Sequence, residues 1–298
     1  MREVKKAVFP VAGLGTRFRP VTKALPKEML PVVDKPLIDY AIEEALESGI
    51  TDFMFVISPH KEIIVNYLMD TKELKPVLGD GDCGDNVRTY KSQSSPSLKI
   101  SFVVQKEPLG LGDAILCARH WVKESVFAVI LPDDLIISTV PCLTQMLSNY
   151  KTSGGNVIGV MEVKPDHAHM YGVLEAEEQA GQLVRVKGMV EKPPPGEAPS
   201  NLAIIGRYVL QPDIFDLLSN QVPGVAGEVQ LTGAMHEMLE FQEFFGFRFQ
   251  GTRFDCGNKS GLVEANIAYS LKRTDVNLQI KRVLELFRAY SPEDGVRK

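Results

Sequence analysis

The sequence of 298 residues lacks several features that would assign it to a specialised class of protein. No apolar run approaches the ~20 residues needed to span a bilayer, and the N-terminus has no signal-peptide core. Lys and Arg are nowhere concentrated into a basic run, and the net charge of −5 argues against general nucleic-acid binding. These absences predict a cytoplasmic protein that binds neither membrane nor nucleic acid.

Cysteine is also scarce. The four cysteines, Cys83, Cys117, Cys142 and Cys256, are scattered and form no CxxC pair. This spacing is not typical of a zinc site or of a disulfide framework, so we expect the reduced thiols of a cytosolic protein. With 44% hydrophobic and 24% charged residues, the composition is that of an ordinary soluble globular enzyme.

Apolar runs alternate with helical periodicity along the first half of the chain. The β–loop–α–β order implies parallel strands joined by right-handed crossovers. We therefore expect an α/β fold, with a doubly wound (Rossmann-like), mixed and mostly parallel sheet. The expected strands of this half are residues 7–11, 53–57, 100–105 and 126–131, with Asp34 capping the first helix and residues 79–98 forming an exposed loop.

Shorter strand-like pieces and further helices follow, with no internal repeat. We expect strands at residues 157–163, 171–175, 183–190 and 203–209, and helices at 213–218, 232–241, 261–273 and 275–290. The organisation is a single domain over residues 1–298. It divides, without a sharp boundary, into a first half at 1–135, a second half at 136–257 and C-terminal helices at 258–298.

The chain is organised around residues 7–31, AVFPVAGLGTRFRPVTKALPKEMLP. An apolar strand breaks into a loop with two glycines, Gly13 and Gly15, which can turn tightly and expose N–H groups to an anion. Arg17 and Lys27 add positive charge that suits a polyphosphate. A Walker A loop would need Gly-Lys-Ser/Thr here, and a dinucleotide fingerprint would need a small residue where Phe18 stands.

GLGTR followed by TKALPKEMLPVVDKPLIDY resembles the N-terminal signature of the sugar-phosphate nucleotidylyltransferases. Within them, the chain is most similar to the bacterial UTP–glucose-1-phosphate uridylyltransferases. The resemblance covers essentially the whole chain, with five motifs in family order. It implies that residues 1–135 form a nucleotide-binding half and residues 136–257 a sugar-phosphate-binding half. It also implies that the nucleotide is bound by Ala12, Gly13, Leu14, Gly15 and Thr16.

Two adjacent carboxylates, Asp133 and Asp134, stand where an apolar strand is expected to end. Open α/β sheets place ligands at that edge, and acidic oxygen ligands suit Mg²⁺. An acidic turn is the alternative, and it is common after strands. The resemblance of LPDD to the family's LPD element assigns the metal to Asp133, and it gives Asp255, in RFDCGN, as a second carboxylate. Taken alone, Asp255 would more readily cap the next helix.

Gln105, together with Gly110-Leu111-Gly112, resembles the base-reading segment of the family. A side-chain amide can pair with both the donor and the acceptor edge of a pyrimidine, and Gly110 lets the backbone approach the ring. Gln105 at a strand end would by itself mean little. In register with the glycines, it is interpreted as part of a uracil pocket.

Three further segments resemble the sugar side of the family site. Gly172 is interpreted as a glycine against which a sugar ring can lie. Pro193 is rigid and fixes the direction of the preceding Glu-Lys pair. The resemblance gives Glu191 to the sugar hydroxyls, Lys192 to the sugar phosphate and, from GEVQLT, Glu228 to the glucose hydroxyls. The chain departs from the family at Gly233, where an aspartate is usual; its loss is expected to remove a helix-capping bond.

The resemblance implies one reaction. The phosphate of glucose 1-phosphate attacks the α-phosphorus of UTP in line, giving UDP-glucose and pyrophosphate, with Mg²⁺ as cofactor. Arg17, Lys27, Asp133 and Lys192 are the expected catalytic residues, and the partners include a second copy in a homo-oligomer (dimer or tetramer). The alternatives are a dTTP-dependent thymidylyltransferase, a non-catalytic regulatory paralogue and a ligand-only sensor.

Overall fold

The computed structural model describes residues 3–69, 88–91, 98–177, 181–221 and 227–288. Its strands are β1 Lys6–Pro10, β2 Pro31–Val32, β3 Lys35–Pro36, β4 Asp52–Ile57, β5 Arg88–Lys91, β6 Lys99–Val104, β7 Phe127–Ile130, β8 Asp134–Ile137, β9 Asn156–Glu162, β10 Gly172–Ala176, β11 Leu183–Glu191, β12 Leu202–Leu210, β13 Phe244–Arg248 and β14 Thr252–Asp255. Its helices are α1 Leu37–Glu47, α2 Glu62–Met69, α3 Leu111–Leu116, α4 Arg119–Val122, α5 Cys142–Ser153, α6 Ile214–Asn220, α7 Leu231–Met238, α8 Lys259–Lys272 and α9 Asn277–Arg288. No helix in these ranges is both long enough and apolar enough to cross a membrane.

One ten-stranded mixed sheet runs through the described chain in the order β10-β11-β13-β9-β12-β7-β1-β4-β6-β5. The strands β7, β1, β4 and β6 are parallel to their neighbours in that group. Strand β12 joins β7 and β9 in antiparallel fashion, while β13 lies parallel to β9. The mixed α/β architecture predicted from the sequence is therefore present, and its parallel group comes from the first half of the chain. The sheet is not mostly parallel as predicted, because five of its nine neighbouring strand pairs are antiparallel.

Helices cover both faces of the sheet, which explains the unbroken apolar runs of its central strands. In β1 and β4, alternate side chains enter two different cores: Phe9 and Phe55 face α1, α2 and α5, whereas Val8 and Met54 face α3, α4, α6 and α7. A third, smaller core lies between α1, α8 and β14. Because both of their faces are buried, the central strands β1, β4, β7 and β12 have no solvent-exposed polar face, whereas β11 alternates buried and exposed residues.

Strands β1 and β7 form the topological switch point of the sheet. The chain passes from β1 to β4 and β6 on one side of β1, and then returns to add β7 on its other side. In open α/β sheets, the crevice for ligands opens at the carboxyl ends of two such strands. The glycine loop after β1 and the Asp133 turn after β7 therefore meet at one edge.

Several sequence predictions were wrong in detail. Asp34 does not cap α1, since that helix begins at Leu37 after Pro36 and has no side-chain cap; Asp34 instead pairs with Arg273. Residues 88–91 of the expected exposed loop form β5, paired with β6, and the rest of residues 79–97 lies outside the described residues. The short strands β8, β13 and β14 were not predicted, because four- and five-residue strands carry little periodicity.

The expectation of four reduced thiols is also corrected. Cys142 and Cys256 are free and buried, but Cys117 is disulfide-bonded. Cys83 lies outside the described residues. Spacing along the chain does not reveal which thiols approach in space, so this bond could not be predicted from the sequence.

A buried arginine fixes the turn that follows β7. Arg207, in the middle of the apolar strand β12, is 1% exposed, and its Nε and Nη2 donate to the two carboxylate oxygens of Glu44 at 3.0 and 2.8 Å. Its remaining N–H groups donate to the carbonyl oxygens of Leu131 (3.1 Å), Gly206 (3.0 Å) and Asp134 (2.7 Å). One guanidinium thus holds both ends of the turn that carries Asp133.

We predict that Arg207→Met lowers the free energy of unfolding by about 3–5 kcal/mol, because it leaves the nearly buried Glu44 without its partner. Equilibrium denaturation in urea measures this change. Glu47→Gln, on the exposed face of α1, is the control and should change stability by less than about 0.5 kcal/mol. A loss below about 1 kcal/mol for Arg207→Met would contradict a structural role for this ion pair.

Candidate active site

The loop after β1 is open towards solvent at its tip and anchored at its ends. Leu14 is 59% exposed, and Gly15 adopts φ 63°, with its carbonyl accepting the Thr22 hydroxyl at 2.8 Å. Within the described part of the chain, the backbone N–H groups of residues 12–15 have no recorded acceptor. A row of free N–H groups at the end of a strand is a ready site for an anion.

Lys27 connects this loop to the turn after β7. Its Nζ lies 2.5 Å from Oδ2 of Asp133, and both side chains are partly buried. Burial, the largest single effect, would lower the pKa of Lys27, but the carboxylates of Asp133 and Glu28 together outweigh it and hold that pKa above its ordinary value. Burial would raise the pKa of Asp133, and Lys27 reverses that effect as well. Both groups are therefore charged at neutral pH.

A second ion pair lies beneath the loop. Lys61 and Glu28 are both almost fully buried, and Lys61 Nζ donates to Oε2 of Glu28 at 2.7 Å and to the carbonyl oxygen of Val11 at 2.5 Å. Burial raises the pKa of Glu28 and lowers that of Lys61. The contact with Val11 fixes the point at which the chain leaves β1 and enters the glycine loop.

Asp133 and Asp255 approach one another across Gly257. A Cβ on Gly257 would lie 2.9 Å from Oδ1 of Asp255 and 3.0 Å from Oδ2 of Asp133, so only glycine leaves both carboxylates in place. Pairing of β8 with β14 brings the two residues together. No cluster of three or more metal-ligating side chains occurs in the described residues. Two carboxylates are nevertheless enough for Mg²⁺, which completes its shell with water and substrate phosphates.

Asp134, the neighbour of Asp133, points into the protein and is structural. Its Oδ2 accepts the Gly206 N–H at 2.7 Å, and its Oδ1 accepts Nε and Nη2 of Arg253 at 2.9 and 2.5 Å. The same guanidinium lies 5.2 Å from the ring centre of Tyr171. Asp134 is 5% exposed, and burial raises its pKa although Arg253 opposes the change.

Gln105 lies at the end of β6 and is 4% exposed. Its Nε2 donates to Oδ2 of Asp113 at 2.7 Å and to the carbonyl oxygen of Gly110 at 3.1 Å. Gly110 has φ 101°, and a Cβ there would lie 2.9 Å from the Val229 carbonyl oxygen. This glycine is thus needed for packing of the GEVQLT segment against the loop, a requirement that the sequence did not suggest.

The sugar-side residues gather around β10, β11 and the start of α7. Thr232 donates to Oε2 of Glu191 at 2.7 Å, and Gly172 lies against the same carboxylate. Lys192 adopts φ 44°, donates its N–H to the Tyr171 carbonyl at 3.0 Å, and has an exposed side chain with Nζ 3.4 Å from Glu191. That backbone conformation is uncommon for a residue with a side chain, and such residues cluster at functional sites.

Gly233, the departure from the family pattern, lies in the first turn of α7, which begins at Leu231 without a side-chain cap. A Cβ at Gly233 would lie 2.6 Å from Nε2 of Gln221. The glycine therefore makes room for Gln221, which is a packing reason in addition to the missing capping bond.

Two adjoining clefts contain the residues predicted from the sequence. The first, of about 450 Å³, is lined by residues that include Ala12, Gly13, Leu14, Gly15, Thr16, Lys27, Gln105, Gly110, Asp133 and Glu228. The second, of about 270 Å³, is lined by residues that include Arg17, Asp133, Gly172, Glu191, Lys192, Glu228 and Asp255. Asp133 and Glu228 border both clefts. Arg17 borders the second cleft and not the first, although it was predicted beside the triphosphate.

Sequence reasoning missed the residues that support these side chains, namely Glu28, Lys61, Asp113, Arg207, Thr232 and Arg253. Only Arg207 left a signal, as the single charge in the buried strand LAIIGRYVL. A charge in such a strand must find a partner. The others lie on loops, at strand ends or in the first turn of a helix, where polar residues are common.

Comparison with known proteins agrees with this arrangement. The model of the family described as nucleotidyl transferase matches residues 6–271. The chain belongs to the nucleotidyl transferase family. It is accordingly a nucleotidyltransferase, and the family resemblance inferred from the motifs is confirmed.

Two curated members of the family are similar over nearly the whole chain. UTP–glucose-1-phosphate uridylyltransferase 2 of Staphylococcus saprophyticus is 45% identical over 272 residues, which is 91% of this chain and 94% of that protein. UTP–glucose-1-phosphate uridylyltransferase of Staphylococcus epidermidis is 44% identical over 286 residues, which is 96% of this chain and 99% of that protein.

Solved structures of the family confirm the fold. A UDP-glucose pyrophosphorylase complexed with UDP-glucose gives a TM-score of 0.79 at 40% identity, covering 91% of this chain and all of that one. The UTP-bound UGPase of Acinetobacter baumannii gives a TM-score of 0.81 at 37% identity. The match covers 95% of this chain and 99% of that one.

Proposed function

We propose that this nucleotidyltransferase transfers a uridylyl group from UTP to glucose 1-phosphate, giving UDP-glucose and pyrophosphate. The observation that carries the proposal is the junction of the two clefts at Asp133 and Glu228. A nucleotide in the first cleft would place its α-phosphate beside a sugar phosphate in the second. The names of the relatives that are 44–45% identical, and the UTP and UDP-glucose bound by the structural neighbours, support these substrates.

The reaction needs no nucleophilic side chain, because the phosphate oxygen of glucose 1-phosphate is already an anion. Catalysis then rests on positioning and on stabilising charge in an in-line displacement. In our proposal, Lys27 and the N–H groups of residues 12–15 hold the triphosphate. Lys192 and Arg17, which both border the second cleft, face the two reacting phosphates.

Asp133 and Asp255 are the residues that would hold Mg²⁺. Their approach across Gly257, in a cleft whose described lining includes neither His nor Cys, suits this hard cation. When bound, the ion would neutralise part of the phosphate charge. Lys27 now pairs with Asp133, and an incoming triphosphate would offer that ammonium a second anionic partner.

Asp133→Asn should reduce turnover by about 100-fold or more, because it keeps the shape of the side chain but removes its charge. Asp255→Asn should reduce turnover by a comparable or smaller factor. Initial rates across a magnesium titration measure both, with Glu62→Gln, an exposed carboxylate on α2, as the control. Near wild-type rates for Asp133→Asn at limiting Mg²⁺ would show that Asp133 belongs to an acidic turn without a role in metal binding.

Lys192→Ala should reduce turnover by about 30- to 1000-fold and weaken glucose 1-phosphate use, since such a charged contact contributes on the order of 2–4 kcal/mol. UTP binding should stay nearly normal, and Lys192→Arg should restore activity only in part. The matched control is Lys187→Ala, an exposed lysine on β11, the strand that ends directly before Lys192. If Lys192→Ala lost affinity for UTP and kept its affinity for glucose 1-phosphate, Lys192 would belong to the nucleotide site.

A panel of nucleoside triphosphates and sugar phosphates, scored for pyrophosphate release, tests the function as a whole. We expect UTP with glucose 1-phosphate to be best, dTTP to be accepted, and CTP, ATP and GTP to be poor. Equal use of ATP and UTP would contradict the base assignment. Absence of release with every pair would favour the non-catalytic alternatives. Location in the cytoplasm and homo-oligomeric assembly stay predictions.

A further inference from the structure

The Gln105 side chain is held in one orientation by groups that can only accept hydrogen bonds. A carboxylate oxygen of Asp113 and the carbonyl oxygen of Gly110 take both N–H bonds of its Nε2. Neither acceptor could satisfy Oε1, so the amide cannot turn over without leaving two acceptors facing an oxygen. The orientation is therefore determined by the chemistry of the neighbours.

The consequence is that Gln105 presents its oxygen, and not its nitrogen, to a ligand. The residue lines the first cleft, and no donor to Oε1 is recorded among the described residues. Asp113 itself does not line that cleft; it lies half-buried in the first turn of α3, behind Gln105. An acceptor in this place selects a base that offers a donor.

We infer that Asp113 is a positioning residue that sets the base selectivity of the transfer by fixing the Gln105 amide, and this rests on the function proposed above. Uracil and thymine carry an N–H at position 3, which Gln105 Oε1 can accept. Cytosine has an unprotonated ring nitrogen there, and two acceptors would face each other. A buried mismatch of this kind excludes a ligand far more strongly than a missing apolar contact does.

Two substitutions change the amide in different ways. Asp113→Ala removes one acceptor, so only the carbonyl oxygen of Gly110 remains to orient the Gln105 amide. Asp113→Asn can turn its own amide and donate to Gln105 Oε1, which lets the Gln105 nitrogen face the cleft and pair with cytosine. We therefore expect the asparagine variant to be the less selective of the two.

The test compares kcat/KM for UTP, dTTP and CTP with saturating glucose 1-phosphate in the wild type, Asp113→Ala, Asp113→Asn and Glu107→Gln. Glu107 is an exposed carboxylate of the same loop that borders neither cleft, and it is the control for lost charge. Calorimetric titration of UTP and CTP without the sugar phosphate gives the same comparison for binding alone. Thermal unfolding of each variant reports whether the fold is intact.

We expect the UTP-to-CTP ratio of kcat/KM to fall at least about tenfold in Asp113→Ala and further in Asp113→Asn, while UTP and dTTP fall together. Glu107→Gln should keep the wild-type ratio. If both Asp113 variants lose activity on UTP and CTP equally, or keep the wild-type ratio, Asp113 has no role in selectivity and the inference fails. A wild-type protein that releases no pyrophosphate with any nucleotide would instead refute the proposed function.

Discussion

The ion pair between Lys27 and Asp133 joins the two loops on which the site depends. Each loop follows one strand of the switch point, and the pair at 2.5 Å fixes their separation. Because Lys27 and Asp133 neutralise each other, neither charge is left unpaired at this partly buried edge of the sheet. In the proposed function, a triphosphate would pair with Lys27 and Mg²⁺ would pair with Asp133, so each charge of the ion pair would find a new partner. The ion pair thus holds the loops after β1 and β7 in place before a ligand binds.

Three further ion pairs, Lys61–Glu28, Arg253–Asp134 and Arg207–Glu44, are buried beneath this edge. Burying charges is costly, and such pairs seldom add much net stability. What these three share is that one member of each also binds backbone or a side chain at the site. Lys61 holds Val11, Arg207 holds the ends of the Asp133 turn, and Arg253 lies against Tyr171. Their contribution is to the geometry of loops that apolar packing alone would leave undetermined.

The sequence predicted the parts of this molecule that are local or shared with a family. Buried strands such as β1 and β4 were predictable because both faces are covered, and the motif residues could be placed because loops after parallel strands converge. The β8–β14 pair was not predictable, since it joins four-residue segments whose paired residues are 115 or more positions apart. The failure of Asp34 to cap α1 was not predictable either. Lys35 and Pro36 pair with β2, so the helix begins only at Leu37. In both cases a long-range or competing pairing overrode a local preference.

The support of the site was harder to foresee than the site itself, and Gln105 shows why. A motif marks the side chain that meets a ligand, but an amide can present either of two opposite faces, and the motif does not say which. The choice is made by a residue eight positions on, at the start of a helix, where an aspartate already has a local reason to occur through the helix dipole. That ordinary explanation conceals the second role. Only the distance from Asp113 to Nε2 of Gln105 separates the two, because helix stabilisation does not require a carboxylate oxygen 2.7 Å from that nitrogen.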